Sequence, residues 1–527
     1  MKILLSIFYA ILLCDQIANG YRILGVFPLH GKSHWIVNEA LMKDLARRGH
    51  QVDVITHFPQ KKPIPNYKDI SLKDTLPPTV NNISAADLER FGGSPKIPVL
   101  VQMGGDVICN LLGHPKLQEL IKNPPQDPPY DLVILELFAS PCYIAFGRHL
   151  KVPVIATVTS MMHDWLNEVS ANPINPAYTP SMFSDYTQRM NFKERLMNFW
   201  AIHFHTWQFH YYTNHHLTFV KKHFGIDVSN IKDLYKDIAL YLTNSHHSLN
   251  GVRPLATNVI EVGGLHIRDD GPLSPEVQKW LDDSEHGCIY FTFGSSVRIE
   301  TYPEKIIQQI YASFEKIAPV RVLMKVAKEE DLLPGLPKNV MTQPWFPQIS
   351  IFKHKNTRAF ITHGGLGGTT EAVYYGVPMI GIPLFADQHI NVKNYVTKQV
   401  AISLHSIYNI TEEKLTSALN SILKDPTYRD NIQKLSKRFV DRPMNASSTA
   451  IFWVEYIAKY GHVLRSPELD LYWWQRCLLD IYAFIFIVTV TVLYTAFFVL
   501  RKLKRLLFRS HTCAKKDSST MKSKKNK

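Results

Sequence analysis

From Tyr21 the chain alternates short, unbroken apolar runs with amphipathic ones: RILGVFP, then LHGKSH, then WIVNEALMKDLARRGH, then QVDVIT. Apolar strands that lack a polar alternation belong in a parallel sheet covered on both faces, and Gly49 falls where a helix C-terminus needs its glycine. The pattern predicts strand, loop, helix, strand, the opening of a Rossmann-like domain. Further strands are predicted at DLVILE, 131 to 136, and VPVIATV, 152 to 158. Ligands collect at the carboxyl ends of such strands, where His34 and Glu136 stand out. From about 160 to 235 the alternation breaks and aromatics dominate, as in FWAIHFHTWQFHYY over 199 to 212. Two readings of that stretch stay open: helices bordering a pocket, or a helix packed on the core or lying along a membrane surface. Residues 246–270 are turn-rich, as a linker would be. CIYFTFGSS then opens a second domain, continued by a helix near Glu304 to Ile317, the strand VRVLMKV, and helices after Thr411 and over 446–460.

The two ends carry different signals. Residues 1–20 combine Lys2, the run ILLSIFYAILL and small residues at Ala18 and Gly20, the pattern of a signal peptide. Residues 481–500 hold no formal charge and suffice for one transmembrane helix. Arg501, Lys502, Lys504 and Arg505 follow at once, which predicts a cytosolic tail over 501–527 and a type I protein with its bulk in the lumen. Asn82, Asn409 and Asn445 head N-x-S/T triplets and are the candidate glycosylation sites.

Composition and charge narrow the class. The 527 residues are 46% hydrophobic and 20% charged, an ordinary globular balance that suits two domains with appendages. Of the net charge of +14, the tail from Arg501 holds eleven Lys or Arg against one Asp, or +10, leaving +4 for the rest. The basic character is therefore topological, and no nucleic-acid partner is expected. Cys109, Cys142, Cys288 and Cys477 show no C-x-x-C spacing; a Cys109–Cys142 disulfide is one reading and buried free thiols are the favoured one. His203, His205, His210, His215 and His216 lack both an i, i+4 ligand pattern with a nearby acid and cysteine partners, so no metal is expected.

The densest chemistry lies between Trp345 and Gln388. A glycine-rich turn between RAFIT and TTEAVYY offers free backbone N–H groups and a helix dipole to a diphosphate. Trp345 offers a face for a base, Gln348 an amide for its edge, and Glu371 a carboxylate for ribose hydroxyls. Ser295, after Gly294, ends a strand where phosphates can be met. No D-x-D triplet occurs in the chain.

The run Trp345-Phe-Pro-Gln348, His363-Gly-Gly, Glu371, Gly376-Val-Pro-Met and Pro383-Leu-Phe-Ala-Asp387-Gln388 resembles the signature of the UDP-glycosyltransferases, in particular their animal, membrane-bound branch. The resemblance implies an α/β fold of the GT-B class: two Rossmann-like domains facing across a cleft, plus one C-terminal transmembrane helix. It implies an acceptor-binding domain over 21–245, a donor-binding domain over 271–465, and a last helix that crosses back to the first domain. It makes His34 the base, with Glu136 where the family has aspartate and Asp131 as the fallback partner. Donor contacts fall to Ser295, Trp345, Gln348, His363, Gly364, Gly365, Gly367, Gly368, Glu371, Asp387 and Gln388. Gly367 departs from the asparagine of many members, so a side-chain contact to phosphate is lost.

The implied reaction is inverting transfer of a hexose, glucose favoured and glucuronic acid the other choice, from a UDP-sugar to a hydroxyl of a small lipophilic acceptor. A UDP-sugar serves as co-substrate, with no cofactor or metal. The ending KKNK, with Lys524 and Lys525, resembles a retrieval signal of endoplasmic reticulum membrane proteins. Homo- or hetero-oligomerisation stays open. An NAD(P) oxidoreductase would open with G-x-G-x-x-G, which GVFPLHG does not supply. The rival of another class is a non-catalytic, membrane-anchored protein of the same fold that binds a nucleotide sugar or a small lipophile.

Overall fold

A computed structural model describes residues 20–90, 97–269 and 271–523; the expected signal peptide, but for Gly20, and Lys524 and Lys525 lie outside the described residues. The first sheet has seven strands: β1 (Arg22–Phe27), β2 (Gln51–Thr56), β3 (Tyr67–Ser71), β4 (Leu132–Glu136), β5 (Val154–Val158), β6 (Ile238–Thr243) and β7 (Val259–Glu261). They run in the order β3-β2-β1-β4-β5-β6-β7, and every pairing is parallel. Along β1 and β4 alternate residues enter opposite cores. Leu24, Val26, Val133 and Leu135 face one, whereas Ile23, Phe27, Leu132 and Ile134 face the other, which is why these strands read as continuous apolar runs. The stretch expected as a linker carries β7, so 246–270 closes the edge of the first sheet before the chain leaves it.

The second sheet holds β8 (Cys288–Thr292), β9 (Arg321–Lys325), β10 (Val340–Gln343), β11 (Thr357–Thr362), β12 (Met379–Gly381) and β13 (Ala401–Ser403), in the order β10-β9-β8-β11-β12-β13, again all parallel. Two such sheets with their helices are a pair of Rossmann-like domains.

The helices that shape the cleft, join the domains or extend past them are α1 (Lys32–Arg47), α2 (Phe192–Thr213), α3 (Leu366–Tyr375), α4 (Gln388–Thr397), α5 (Ala446–Tyr460) and α6 (Leu479–Ser523). After the second sheet, α5 returns to the first domain and buries Ala450, Val454 and Ile457 against Trp35, Leu41 and Leu45 of α1. Glu455 accepts from Arg48 at 3.0 Å, and Arg268 grips Asp44 at 3.0 Å. On the opposite side, the loop at Asn81 to Ile83 of the first domain donates backbone N–H groups to Ser295 O at 2.9 Å and Ser296 O at 3.0 Å. The two domains are thus clasped at both margins.

α6 belongs to a separate unit from Pro467 onward. Its stretch Leu479–Phe508 is long and apolar enough to cross a membrane, a longer span than the 481–500 expected. Cys109 and Cys142 are joined in a disulfide, which corrects the expectation of free thiols. The sulfurs meet because Cys109, in the segment after Ile97, and Cys142, after β4, are both wholly buried in the same core, a proximity that sequence spacing does not carry.

Candidate active site

α1 begins at Lys32, directly after β1, and places His34 in its first turn at the carboxyl end of the sheet. β4 runs parallel to β1 and ends at Glu136, on the same edge. His34 Nδ1 lies 2.6 Å from Glu136 Oε1. Thr159, just past β5, donates its hydroxyl to the same oxygen at 2.8 Å and lies 2.9 Å from His34 Nδ1. Because the carboxylate only accepts, the imidazole proton sits on Nδ1 and Nε2 keeps a lone pair for the cleft. Burial disfavours the imidazolium, but the Glu136 charge and hydrogen bond, with the Asp387 charge, outweigh it and hold the His34 pKa above the ordinary histidine value. Asp131 is no substitute partner. It stands at the opposite end of the same strand segment, where its carboxylate accepts from Arg22 N at 2.8 Å.

Across the cleft, Gly365 caps α3 without any side-chain hydrogen bond, so the first N–H groups of the helix stay available to an anion. The helix starts at Leu366, earlier than the expected TTEAVYY, and Gly367 and Gly368 therefore lie in its first turn rather than ahead of it. His363 is held between two glycines. A Cβ at Gly294, whose φ is +80°, would come within 2.7 Å of the ring, and one at Gly365 within 2.6 Å. Burial, then the Lys325 charge, push the His363 pKa down to about 4, so at neutral pH it acts as a hydrogen-bonding group and not as a cation. Gly364 sits behind this layer, whereas Gly365, Gly367 and Gly368 line the cleft. At Gly367 an added Cβ would meet only His266 Nε2 at 3.9 Å, so no neighbour excludes a side chain there.

Trp345 is 47% exposed, its ring 5.7 Å from Lys325 Nζ. Gln348 donates to Glu371 Oε2 at 2.5 Å, and His266 Nε2 lies 3.0 Å from Glu371 Oε1. Both carboxylate oxygens thus have protein partners. Asp387 accepts from Asn391 Nδ2 at 2.9 Å, and that amide also reaches Gly364 O at 3.1 Å, tying the ADQ turn to the glycine turn. Burial raises the Asp387 pKa against that hydrogen bond and the pull of His34. Gln388 Oε1 accepts from Leu384 N and Phe385 N, so its carbonyl is spent on the turn. Ala386 adopts φ +56° in that turn, a conformation costing a non-glycine residue roughly 1–3 kcal/mol. Ser295 lines the same space.

Together these groups line one cleft of about 740 Å³ between the domains, with Glu136 and Gly364 directly behind it. On the first-domain side its wall is apolar: Leu29, Leu100, Met103, Phe138, Trp165 and Met182. The aromatic helix α2 contributes nothing to it. Trp200, Trp207 and Tyr211 face solvent, at 60%, 58% and 63% exposure, so the pocket-bordering reading applies to 163–183 and not to 199–212.

Three cleft residues, and one packed behind them, escaped sequence reasoning. Thr159 and Lys325 each end or directly follow a strand, so the rule that picked out Glu136 could have found them. Asn38 pins the dyad from below, donating to His34 O at 3.2 Å and accepting from Thr157, and a polar residue on a buried helix face was its only mark. His266 comes from the supposed linker and carried no signal. Lys325 is buried beside Asn81, and burial lowers its pKa to about 8 against the raising effect of Glu300, leaving it mostly charged at neutral pH.

Two parallel-sheet domains around a cleft, with a histidine–carboxylate pair on one wall and a helix end with free N–H groups on the other, define a GT-B glycosyltransferase. The chain belongs to the UDP-glucoronosyl and UDP-glucosyl transferase family, whose profile matches residues 109–517, and it is a UDP-glycosyltransferase that moves sugar from a UDP-sugar to an acceptor. It is similar to UDP-glucosyltransferase 2 of Dactylopius coccus, 36% identical over 492 residues, 92% of this chain and 93% of that one. It is also similar to UDP-glucuronosyltransferase 1A9 of Mus musculus, 28% identical over 527 residues, 93% of this chain and 94% of that one. Among solved structures, a UDP-glucosyltransferase from Polygonum tinctorium capable of glucosylating indoxyl, in complex with 3,4-dichloroaniline, superposes with a TM-score of 0.56 at 18% identity, over 84% of this chain and 99% of that one.

Proposed function

We propose that the enzyme transfers glucose, with inversion, from UDP-glucose to a hydroxyl of a small lipophilic acceptor, in conjugation or detoxification. The acceptor lies against the apolar first-domain wall, and His34 Nε2 takes its proton as the oxygen attacks the anomeric carbon. The bond from that carbon to the UDP oxygen breaks, and the α-linked donor yields a β-glycoside. Glu136 holds the ring and stabilises the imidazolium, as the acid does in hydrolase triads. Charge on departing UDP is met by the free N–H groups of α3 and by Lys325, so the protein's own groups serve where other transferases use a divalent ion. Trp345 stacks the base, Glu371 takes the ribose hydroxyls, and Asp387 with Gln388 takes those of the sugar.

The single observation that carries this reading is the His34–Glu136 contact at 2.6 Å facing the glycine-lined end of α3. Glucose is favoured because a relative named a UDP-glucosyltransferase is 36% identical, against 28% for one named a glucuronosyltransferase. We place the enzyme in the endoplasmic reticulum membrane as a single-pass type I protein with lumenal domains, supported by the leader, the apolar part of α6 and the basic residues after it.

The test is incubation of microsomes containing the enzyme with a panel of UDP-sugars and phenols, read by mass spectrometry, with NMR of the product linkage. A β-glucoside from UDP-glucose is expected. A glucuronide as the main product would overturn the donor assignment. Absence of any conjugate, with UDP-sugar still bound, would favour the non-catalytic binding protein.

A further inference from the structure

The histidine-rich stretch that the sequence left without an acid finds one in the fold, 109 residues away. Asp106 ends a π-helical turn, Gln102–Asp106, and its Oδ1 lies 2.7 Å from Nε2 of His215 and 2.7 Å from Nε2 of His216. The three ligand atoms lie within 4.8 Å of one another. The rings are inclined at 72° with centroids 4.7 Å apart, so their nitrogens converge on one point instead of stacking.

The backbone is shaped for this convergence. A Cβ at Gly105 would stand 2.8 Å from His216 Cε1 and 2.6 Å from Ala139 O, so only glycine lets the turn approach the ring. π-Turns insert one residue into a helix and re-aim its side chains, and they recur at functional sites. The side chain of His216 is fully buried, that of His215 is 50% exposed and that of Asp106 33%. The point of convergence therefore has a rigid protein floor and a side open to solvent.

We propose that Asp106, His215 and His216 form a site for a zinc-class divalent transition-metal ion, outside the catalytic cleft, that clamps the segment Ile97–Asn110 to the end of α2. Two imidazole nitrogens and one carboxylate oxygen, with an open fourth position for water, are a ligand set that suits zinc and not magnesium or calcium. Ligand atoms around a tetrahedral ion with bonds of about 2.0–2.1 Å stand about 3.3 Å apart. Opening both 2.7 Å contacts to that spacing takes roughly 0.6 Å each, which the partly exposed Asp106 and the half-exposed His215 supply while the buried His216 stays in place. With metal on Nε2 the remaining proton of His216 sits on Nδ1, which is buried and has no partner. Lack of such an outer partner typically costs 10–100-fold in affinity, which points to reversible binding.

The clamp has a readout in the cleft. Leu100, Met103 and Gly104 of the same segment line its acceptor side, and a Cβ at Gly104 would come within 3.1 Å of Phe138. The Phe138 ring in turn stands edge-on to His34 at 4.9 Å. The disulfide at Cys109 already ties the segment down, and the metal would add a second tie three residues closer to the cleft-lining Gly104.

Full-length enzyme in detergent, purified without a polyhistidine tag and stripped with EDTA, is titrated with zinc chloride by calorimetry and with cobalt(II) by visible spectroscopy. One equivalent should bind, with tetrahedral cobalt bands, and magnesium should not compete. His215→Ala, at an exposed position, and Asp106→Asn should each weaken binding at least tenfold while melting like the wild type. Saturating zinc should change the acceptor KM at least twofold and leave the UDP-sugar KM unchanged. No saturable equivalent, or His215→Ala binding as tightly as wild type, would overturn the site. Binding without any change in acceptor KM would overturn the clamp.

Discussion

His34 sits where two opposing effects on one imidazole are resolved by a carboxylate. Burial lowers its pKa, while Glu136 and then Asp387 raise it, with a net rise above the ordinary value of 6.5. A base must be neutral to act, so kcat/KM should climb with pH through the folded-state pKa and the acid limb should centre above pH 6.5. In Glu136→Gln the charge is gone and burial dominates, so the limb should move to lower pH while the plateau falls. His34→Ala should lose on the order of 10² to 10⁴ in turnover on an aliphatic alcohol, and less on an acidic phenol that gives up its proton more readily. Stability responds to pH in the opposite sense. The pair's contribution is fully present below pH 6.5 and is lost as pH rises through the raised pKa, which thermal melts across that range would register. A pH profile of Glu136→Gln that matches the wild type would remove Glu136 from this role.

At the scale of elements, the sheets deliver their chemistry at carboxyl ends, and two further segments decide whether those ends face each other. One is the loop Asn81 to Ile83, which hydrogen-bonds the backbone at Ser295 and Ser296. The other is α5, which carries three wholly buried side chains, Ala450, Val454 and Ile457, back to α1. Since α1 bears His34, the crossing helix also steadies the proposed base. Ile457→Ala should cost about 2–5 kcal/mol, the range for truncating a buried aliphatic side chain to alanine. It should lower the melting temperature and weaken turnover more than UDP affinity, because the donor contacts lie in the other domain. Equal losses in both would mean that α5 supports the fold at large and not the juxtaposition of domains.

For the whole molecule, topology is the open question that chemistry can answer directly. Asn82, Asn409 and Asn445 are all exposed, and all precede Ser or Thr at the second following position. Asn445 also caps α5 through its Oδ1, accepting from Ser448 N at 2.7 Å, and leaves its amide nitrogen available to a glycan. With the catalytic unit in the lumen, at least one of these should be glycosylated, so endoglycosidase H should increase electrophoretic mobility. Unchanged mobility would count against the lumenal placement. EDTA should leave turnover itself in place, since the groups assigned to UDP departure belong to the protein; only the acceptor KM should respond.

The order of apolar runs alone determined two parallel α/β domains and a run long and apolar enough to cross a membrane, because a strand buried on both faces cannot alternate and a bilayer span cannot carry charge. It also singled out His34, Glu136 and the glycine turn, which the fold brings to one cleft, since parallel strands end on one edge and local spacing carries that information. Tertiary structure decided the rest. Thr159, Lys325 and His266 joined the cleft, α2 left it, and Cys109 found Cys142 across a core. Asp106 met His215 and His216 only because a glycine in a π-turn let two helical segments approach. Such meetings depend on where chain segments far apart in sequence are packed, and no local periodicity encodes that.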